Sequence, residues 1–331
     1  MAQYPKPWTS FSDQLDHLTA RGMTIADQEN ALKQLSHIGY YRLSGYWNAL
    51  RQRHDQHACA ERNASSTGPG QAARWGHFKP GATFQHAVDL YNFDKQLRLL
   101  AIDALEIIEV ALRVDVSHRL GGLSPFAYTR ADLLHGNFTT KVVAKTGMTR
   151  HEEWLARHDQ LISRSREDFI RHCKAKYGLP LPVWIAAQVW DFGTLSTLFS
   201  GLRTADQDAI SSQYGMSNGR VFASWLRSFN YLRNVCAHHS RLWNRNIIDQ
   251  PKLPPVSEVP WVAPFVNDAH AQARCFLLLC MVRHVLGVVD PTTTWVERVG
   301  THLHRFPLMP HLGIDHAAMG APPNWAASWS P

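Results

Sequence analysis

The chain has 331 residues, 45% of them hydrophobic and 18% charged, so it is long enough to bury a core without disulfide bonds. Its 34 Lys and Arg exceed its 27 Asp and Glu, and the formal net charge of +7 permits a nucleic-acid partner without establishing one. Five unevenly spaced cysteines, and an N-terminus (MAQYPKPWTS) without the pattern of a signal peptide, argue against a secreted disulfide protein and predict a cytoplasmic one.

Residues 1–82 are predicted to form an N-terminal helical extension. Ser12 or Asp13 is a candidate cap for a helix that ends near Leu18, and a second helix is expected to end at Gly39. The aromatic stretch YYRLSGYW follows and carries Arg42. Residues 56–76 are rich in Ala, Ser and Gly, which is typical of an exposed flexible loop and not of a domain boundary.

Residues 83–290 are predicted to form the helical core. Apolar residues keep a helical rhythm over 83–120 with no Gly or Pro, which predicts one long helix or two in line. Glu106, Glu109 and Arg113 follow one another at spacings of three and four on this helix. They fit a surface ion network or, alternatively, groups that orient catalytic side chains.

Residues 121–180 are predicted to be a helical insertion into this core. Its basic residues fit either a solvated helix face or a contact with an RNA backbone; they are Arg164, Arg166, Arg171, Lys174 and Lys176. An apolar helix with a kink or turn at Gly193 is expected next, over 179–202.

The C-terminal part begins with the most apolar run of the chain, Cys275–Val282. It is interrupted by Arg283 and His284 and falls short of the roughly 18 residues that span a membrane, so it predicts a buried helix and no membrane partner. Residues 291–331 contain many Pro and Trp and are predicted to be an extended tail packed on the body. Since long strand patterns are hard to find, the predicted fold class is all-α.

A polar stretch, RNVCAHHSRLWNR, falls on a helix predicted for Val221–Trp243. At about 100° per residue, an apolar stripe faces the core and is formed by Trp225, Phe229, Leu232, Cys236 and Trp243. The opposite arc holds Arg227, Asn234, His238 and Arg241. Arg233 lies about 140° from His238, which requires either a distorted helix or the histidine of a second, antiparallel copy of the chain.

These residue types suit the cleavage of an RNA phosphodiester bond without a metal. An imidazole can transfer a proton near neutral pH, guanidinium groups stabilise the phosphorane-like charge, and RNA supplies its own 2′-OH nucleophile. Two alternatives remain open: a zinc site built from Cys236, His238 and His239, and a polar helix face that only supports structure or an interface. Cys236 and His238 lie across the helix from each other, which argues against zinc.

The same stretch resembles the C-terminal motif of the Abi-like proteins, the AbiD/AbiF abortive-infection family of the HEPN superfamily. The motif, Arg followed by a polar residue and, after three more, His, reads RNVCAH here. Four further blocks resemble the family in the family's order: IGYYRLSGYW, LYNFDKQLRLLAIDALEIIEVALR, LPVWIAAQVWDFGTLS and MGAPPNW. One departure is Gln188, where the resemblance leads us to expect a glutamate.

The resemblance implies an HEPN-like helical bundle and an endoribonuclease toxin of an antiviral defence system. By position, the catalytic residues would be Arg233, Asn234 and His238, with His239 and Arg241 auxiliary. It also implies a homodimer through the R-x4-H helix and a small noncoding RNA as regulator, and we predict no metal and no cofactor. The predicted RNA-binding residues are Arg42, Arg164, Arg171, Lys174, Arg227, Arg241 and Arg245.

Two other functions are compatible with the sequence. A noncatalytic RNA-binding protein would use the same basic residues to hold a structured noncoding RNA and would show salt-dependent affinity without cleavage. A structural or protein-interaction subunit would carry no RNA at all.

Overall fold

The computed structural model describes residues 7–52 and 76–329. Within these ranges no strand forms; pairing of extended residues is limited to isolated bridges such as Thr24 with Thr83. The all-α fold class is therefore confirmed. The predicted loop at 56–76 lies outside the described residues except for Gly76.

The chain divides into two compact units. Unit 1 comprises Met1–Leu97 and Thr301–Ala318, and unit 2 comprises Arg98–Gly300 and Met319–Pro331. The segment boundaries predicted at 82/83 and 290/291 stay a prediction. They were placed by sequence pattern, whereas the two units are defined by which residues pack together. Helices of eight or more residues are labelled α1 to α11 below.

Unit 1 contains three short helices and the beginning of a long one: α1 Phe11–Thr19, α2 Gln28–Ile38, α3 Tyr40–Trp47 and α4 Phe84–Gly121. Ser10 caps α1, not Ser12 or Asp13: the Ser10 hydroxyl accepts a hydrogen bond from the Asp13 amide, and the Asp13 carboxylate closes the capping box. Gly39, with a φ of 90°, ends α2 as predicted.

The core of unit 1 joins α3 to α4. The buried Tyr46 hydroxyl donates to the Asp94 carboxylate at 2.7 Å, and the Phe93 ring stacks on His302 with centroids 4.3 Å apart. The first contact satisfies the hydroxyl group that burial of Tyr46 removes from water.

Unit 2 is built around a central helix. It contains the rest of α4, then α5 Arg150–Arg164, α6 Asp168–Tyr177, α7 Phe192–Gly201, α8 Thr204–Gln213, α9 Gly219–Ala237, α10 Cys275–Val289 and the larger part of α11 Trp295–His304. Helices α7, α8 and α10 all pack against α9, and α5 packs against α7. No helix in the two described ranges combines the length and the apolar composition that crossing a bilayer requires.

Two sequence-based expectations for these helices were right, and a third placed the break in a helix at the wrong residue. The long helix at 83–120 and the buried helix at Cys275 are present. The apolar helix expected over 179–202, with a kink or turn at Gly193, is instead interrupted earlier, because Trp190 and Asp191 are extended and Asp191 starts α7 as its N-cap. Gly193 is the second residue of α7.

The tail at 291–331 is not extended throughout, since it contains α11 and a short helix at Trp325–Trp329. The tryptophans explain the difference. Trp295 is fully buried and its indole donates to the Leu100 carbonyl at 2.7 Å, while the Trp329 indole donates to the Val296 carbonyl at 3.0 Å. Burial of these two rings stabilises helical turns that Pro-rich composition disfavours.

Candidate functional site

Helix α9 positions the candidate site residues, and its sequence explains why it forms. The Asn218 side chain caps the N-terminus by accepting from the amides of Arg220 and Val221. The predicted apolar stripe is confirmed: Trp225, Phe229, Leu232 and Cys236 are at most 1% exposed. Burial of one complete face fixes the rotation of the helix, and with it the direction of every polar side chain.

Helix α9 ends at Ala237, six residues before the predicted end at Trp243. The His239 amide donates to the Cys236 carbonyl and the Ser240 amide donates to the Val235 carbonyl, with His239 left-handed at φ 55°. This pattern is a Schellman motif, which terminates a helix. Trp243 is buried as predicted but lies beyond the helix, and Arg241 therefore does not share a helical arc with Asn234.

A polar cleft of about 1010 Å³ lies between helices α5, α7 and α9. Helix α5 contributes Arg150, Glu153, Trp154 and Arg157. Helix α7 and its N-cap contribute Asp191, Phe192, Gly193, Thr194, Ser196, Thr197 and Ser200. Helix α9 contributes Arg227, Asn230, Arg233 and Asn234. Three predicted site residues, Arg227, Arg233 and Asn234, are thus brought together on one wall. This volume is at the upper end of the roughly 300 to 1,000 Å³ of small-ligand pockets.

Asn230 explains how Arg233 reaches the same cleft as Arg227. On the helix, Asn230 lies about 60° from each of them, so the three side chains cover one broad face. The Arg233 guanidinium donates to the Asn234 side-chain oxygen at 3.4 Å. Sequence reasoning did not select Asn230, although its spacing of three from both Arg227 and Arg233 was visible in the sequence.

Arg233 also lies near an ion pair of helix α4 formed by Glu109 and Arg113. Burial raises the pKa of Glu109 above its ordinary value, although the neighbouring guanidinium groups of Arg113 and Arg233 act in the opposite direction. Glu106 is exposed on the same helix. Of the two interpretations of these residues, the ion pair between Glu109 and Arg113 is present, and a role in orienting catalytic side chains stays a prediction.

Asp191, the N-cap of α7, connects α7 to α5 at the cleft. Its carboxylate accepts hydrogen bonds from the Thr194 amide at 2.8 Å and hydroxyl at 2.7 Å, and from the Arg157 guanidinium at 2.7 Å. Burial alone would raise the pKa of Asp191, but these hydrogen bonds outweigh it and keep the pKa below its ordinary value. Asp191 therefore faces Arg157 as a carboxylate at neutral pH.

The histidines of the motif lie outside this cleft. His238 is the C-cap of α9 and His239 follows it; both side chains are exposed, and neither lines the cleft. The half-buried Arg241 and Arg245 do not line it either. Helix α9 is uninterrupted from residue 233 to 237, so its backbone shows no distortion that would bring Arg233 and His238 to the same side.

The predicted RNA-binding residues of the insertion also lie elsewhere. Arg164 is exposed at the end of α5, Arg171 is paired with Asp168, and the Lys174 ammonium donates to the Ile162 carbonyl. None of these three lines the cleft. Arg42 belongs to helix α3 of unit 1, where its side chain is exposed.

The alternative of a zinc site finds no support in the arrangement of its three candidate ligands. Cys236 is 1% exposed on the core stripe, whereas His238 and His239 are exposed at the end of the helix. Among residues 7–52 and 76–329, no three or more His, Cys, Asp or Glu side chains form a group that could hold a metal ion.

Comparison with family models matches residues 33–244 to the Abi-like protein family, and this range covers both the cleft and the end of α9. The chain belongs to the Abi-like protein family. Membership links this Abi-like protein to abortive-infection defence. Neither curated proteins nor solved structures gave a match.

Gln188, where the family resemblance predicts a glutamate, does not line the cleft of this Abi-like protein. Gln188 is exposed on a short 3-10 turn, and its amide donates to the Trp184 carbonyl at 3.3 Å. It does not line the cleft, so its side chain has no contact with the Arg233 wall.

Proposed function

We propose that this Abi-like protein is an HEPN-type endoribonuclease toxin of an abortive-infection system. The observation that carries the proposal is the arginine-rich cleft in which Arg233 and Asn234 lie side by side, one helical turn from the exposed His238. A small noncoding RNA is proposed as its regulator, in line with the family resemblance.

The proposed reaction needs no metal and no cofactor. The 2′-hydroxyl oxygen of RNA loses its proton and attacks the adjacent phosphorus, the bond from phosphorus to the 5′ oxygen breaks, and the 5′ oxygen takes up a proton. His238 accepts the first of these protons or donates the second, and solvent exchanges the other. Guanidinium groups such as Arg233 stabilise the additional negative charge on the phosphoryl oxygens. The products are a 2′,3′-cyclic phosphate and a 5′-hydroxyl.

A homodimer would complete this site. Since Arg233 and His238 of one chain point about 140° apart on a straight helix, a second copy approaching the end of α9 would bring its own histidine towards Arg233. A two-fold axis at this helix end would form two such sites at once.

The test is cleavage of RNA in EDTA, followed by identification of the product ends. We expect cleavage to continue in EDTA and to give 2′,3′-cyclic phosphate ends. RNA that stays intact, or cleavage that stops when metal is removed, would contradict the proposal. Sedimentation of the same sample measures whether the active species is a dimer.

A second candidate is a noncatalytic protein that holds a structured RNA. It is favoured by one observation, that His238 does not line the cleft that contains Arg233. In this case Arg233→Ala would weaken RNA binding but relieve no toxicity, whereas under the proposed function it would abolish cleavage and toxicity together. Growth of cells that express each variant separates the two functions.

A further inference from the structure

The cleft between α5, α7 and α9 presents more positive than negative charge. Its lining contains four guanidinium groups, Arg150, Arg157, Arg227 and Arg233, and two carboxylates, Glu153 and Asp191. Glu153 accepts a hydrogen bond from the Thr146 hydroxyl at 2.6 Å, and Asp191 accepts one from Arg157. The arginines project from two opposing helices, so an anion within the cleft is attracted from both walls.

The lining offers no exposed ring on which a nucleobase could stack. Its two aromatic residues, Trp154 and Phe192, are 3% and 1% exposed, whereas the polar residues Thr197 and Ser200 are exposed. Stacking platforms for bases need an accessible aromatic face. The chemistry of the lining therefore suits a phosphate backbone and not a base.

We propose that this cleft binds the phosphate backbone of an RNA strand next to the scissile bond. In this proposal, which rests on the proposed function, Arg150 and Arg227 contact phosphates and Asn230 positions the strand between Arg227 and Arg233. Asp191 weakens phosphate binding at Arg157, because its carboxylate occupies one nitrogen of that guanidinium and its negative charge repels a phosphate placed beside it. Asp191 thus weakens RNA binding and sets the affinity of the site.

Asp191 can be tested without damage to the helix that it caps. Asparagine is as effective an N-cap as aspartate, since its side-chain oxygen accepts the same amide hydrogen bond. Asp191→Asn should therefore keep α7 intact while releasing Arg157. Asp132 offers a matched control, because it pairs with Arg130 at the surface outside the cleft.

The probe is a short fluorescent RNA strand with 2′-O-methyl groups. This strand can bind but cannot be cleaved, because the methyl groups block the 2′-hydroxyl nucleophile. Its affinity is measured by anisotropy over a series of salt concentrations. Each phosphate contact of a single strand contributes ~0.7 to the slope of log affinity against log salt, which is about fourfold in affinity at physiological ionic strength. We expect Arg150→Gln and Arg227→Gln each to lower the affinity and the slope by these amounts.

Asp191→Asn should do the opposite and raise the affinity about fourfold with a steeper slope. The controls Arg130→Gln and Asp132→Asn change the net charge equally and should leave both quantities within about a factor of 1.5 of wild type, since their charges lie outside the cleft. Cleft variants that behave like these controls would overturn the proposal. A free nucleoside triphosphate that competes as strongly as the RNA strand would overturn the assignment to an RNA backbone.

Failure of this inference and failure of the proposed function have different outcomes. If wild-type protein cuts unmodified RNA but the cleft variants bind like the controls, the proposed binding site is wrong and the proposed nuclease activity is supported. If the cleft variants change RNA affinity as expected but no RNA is cut, the proposed binding site is supported and the proposed nuclease activity is wrong. Circular dichroism of each variant establishes that it is folded.

Discussion

Two histidines of unit 2, His158 and His238, show how surroundings decide what one side chain can do. His158 is 4% exposed on α5, stacks on Trp154 with centroids 5.4 Å apart, and its Nδ1 accepts from the Trp190 indole at 2.9 Å. His238 is exposed at the C-terminal end of α9. Burial lowers the pKa of His158 to about 4, so it stays neutral and structural at neutral pH.

The difference teaches that proton transfer requires access as well as an imidazole. A buried, hydrogen-bonded ring has no path to substrate, and ionising it costs folding energy. An exposed ring beside a basic cleft can exchange protons with a bound phosphodiester. The predictions below test whether this division into a structural and a catalytic histidine is correct.

The largest effect is expected for His238→Ala, which should slow RNA cleavage in EDTA by about 100- to 10,000-fold, the range for loss of a general acid or base. His172 provides the matched control, because it is another exposed histidine, on α6. His172→Ala should cut at the wild-type rate. Cleavage by His238→Ala at the wild-type rate would show that His238 is not a catalytic histidine.

A smaller effect concerns stability in acid, where His158 should dominate. Its folded pKa of about 4 lies below the unfolded value of 6.5, so as pH falls through this window the unfolded chain binds the proton first. Stability is fully present above pH 6.5 and decreases by up to about 3 kcal/mol on acidification. Urea unfolding at a series of pH values measures this loss.

His158→Gln keeps an acceptor for the Trp190 indole but cannot titrate, so its stability should vary less with pH over the same window. His172→Gln should retain the wild-type pH dependence. Equal pH dependence of all three proteins would show that burial of His158 does not control acid stability.

The smallest expected effect is at His239, next to the catalytic candidate. Its φ of 55° is left-handed, a conformation that costs a side chain with a Cβ about 1 to 2 kcal/mol and costs glycine little. His239→Gly should therefore stabilise the protein by roughly 0.5 to 1 kcal/mol once the added freedom of the unfolded chain is subtracted. Thermal unfolding measures the change, and His239→Ala, which keeps the Cβ, should give no such gain.

The end of α9 shows where a local pattern stops being informative. The apolar stripe at Trp225, Phe229, Leu232 and Cys236 was predicted correctly, because a helical period in hydrophobicity follows directly from burial of one face. The end was placed six residues too late because no glycine marks it. His239 adopts the left-handed conformation that glycine usually supplies at this position.

The sequence by itself determined the all-α class, the helices α4 and α10, the buried face of α9 and the polar residues that project from it. Each of these features depends on residues that lie within a few turns of one another in the same helix. Only the tertiary structure decided what those residues face. Arg150, Arg157 and Asp191 are far from α9 along the chain, and the packing of α5 and α7 brings them into its cleft. Burial and charge at a site depend on such distant contacts, which no local pattern records.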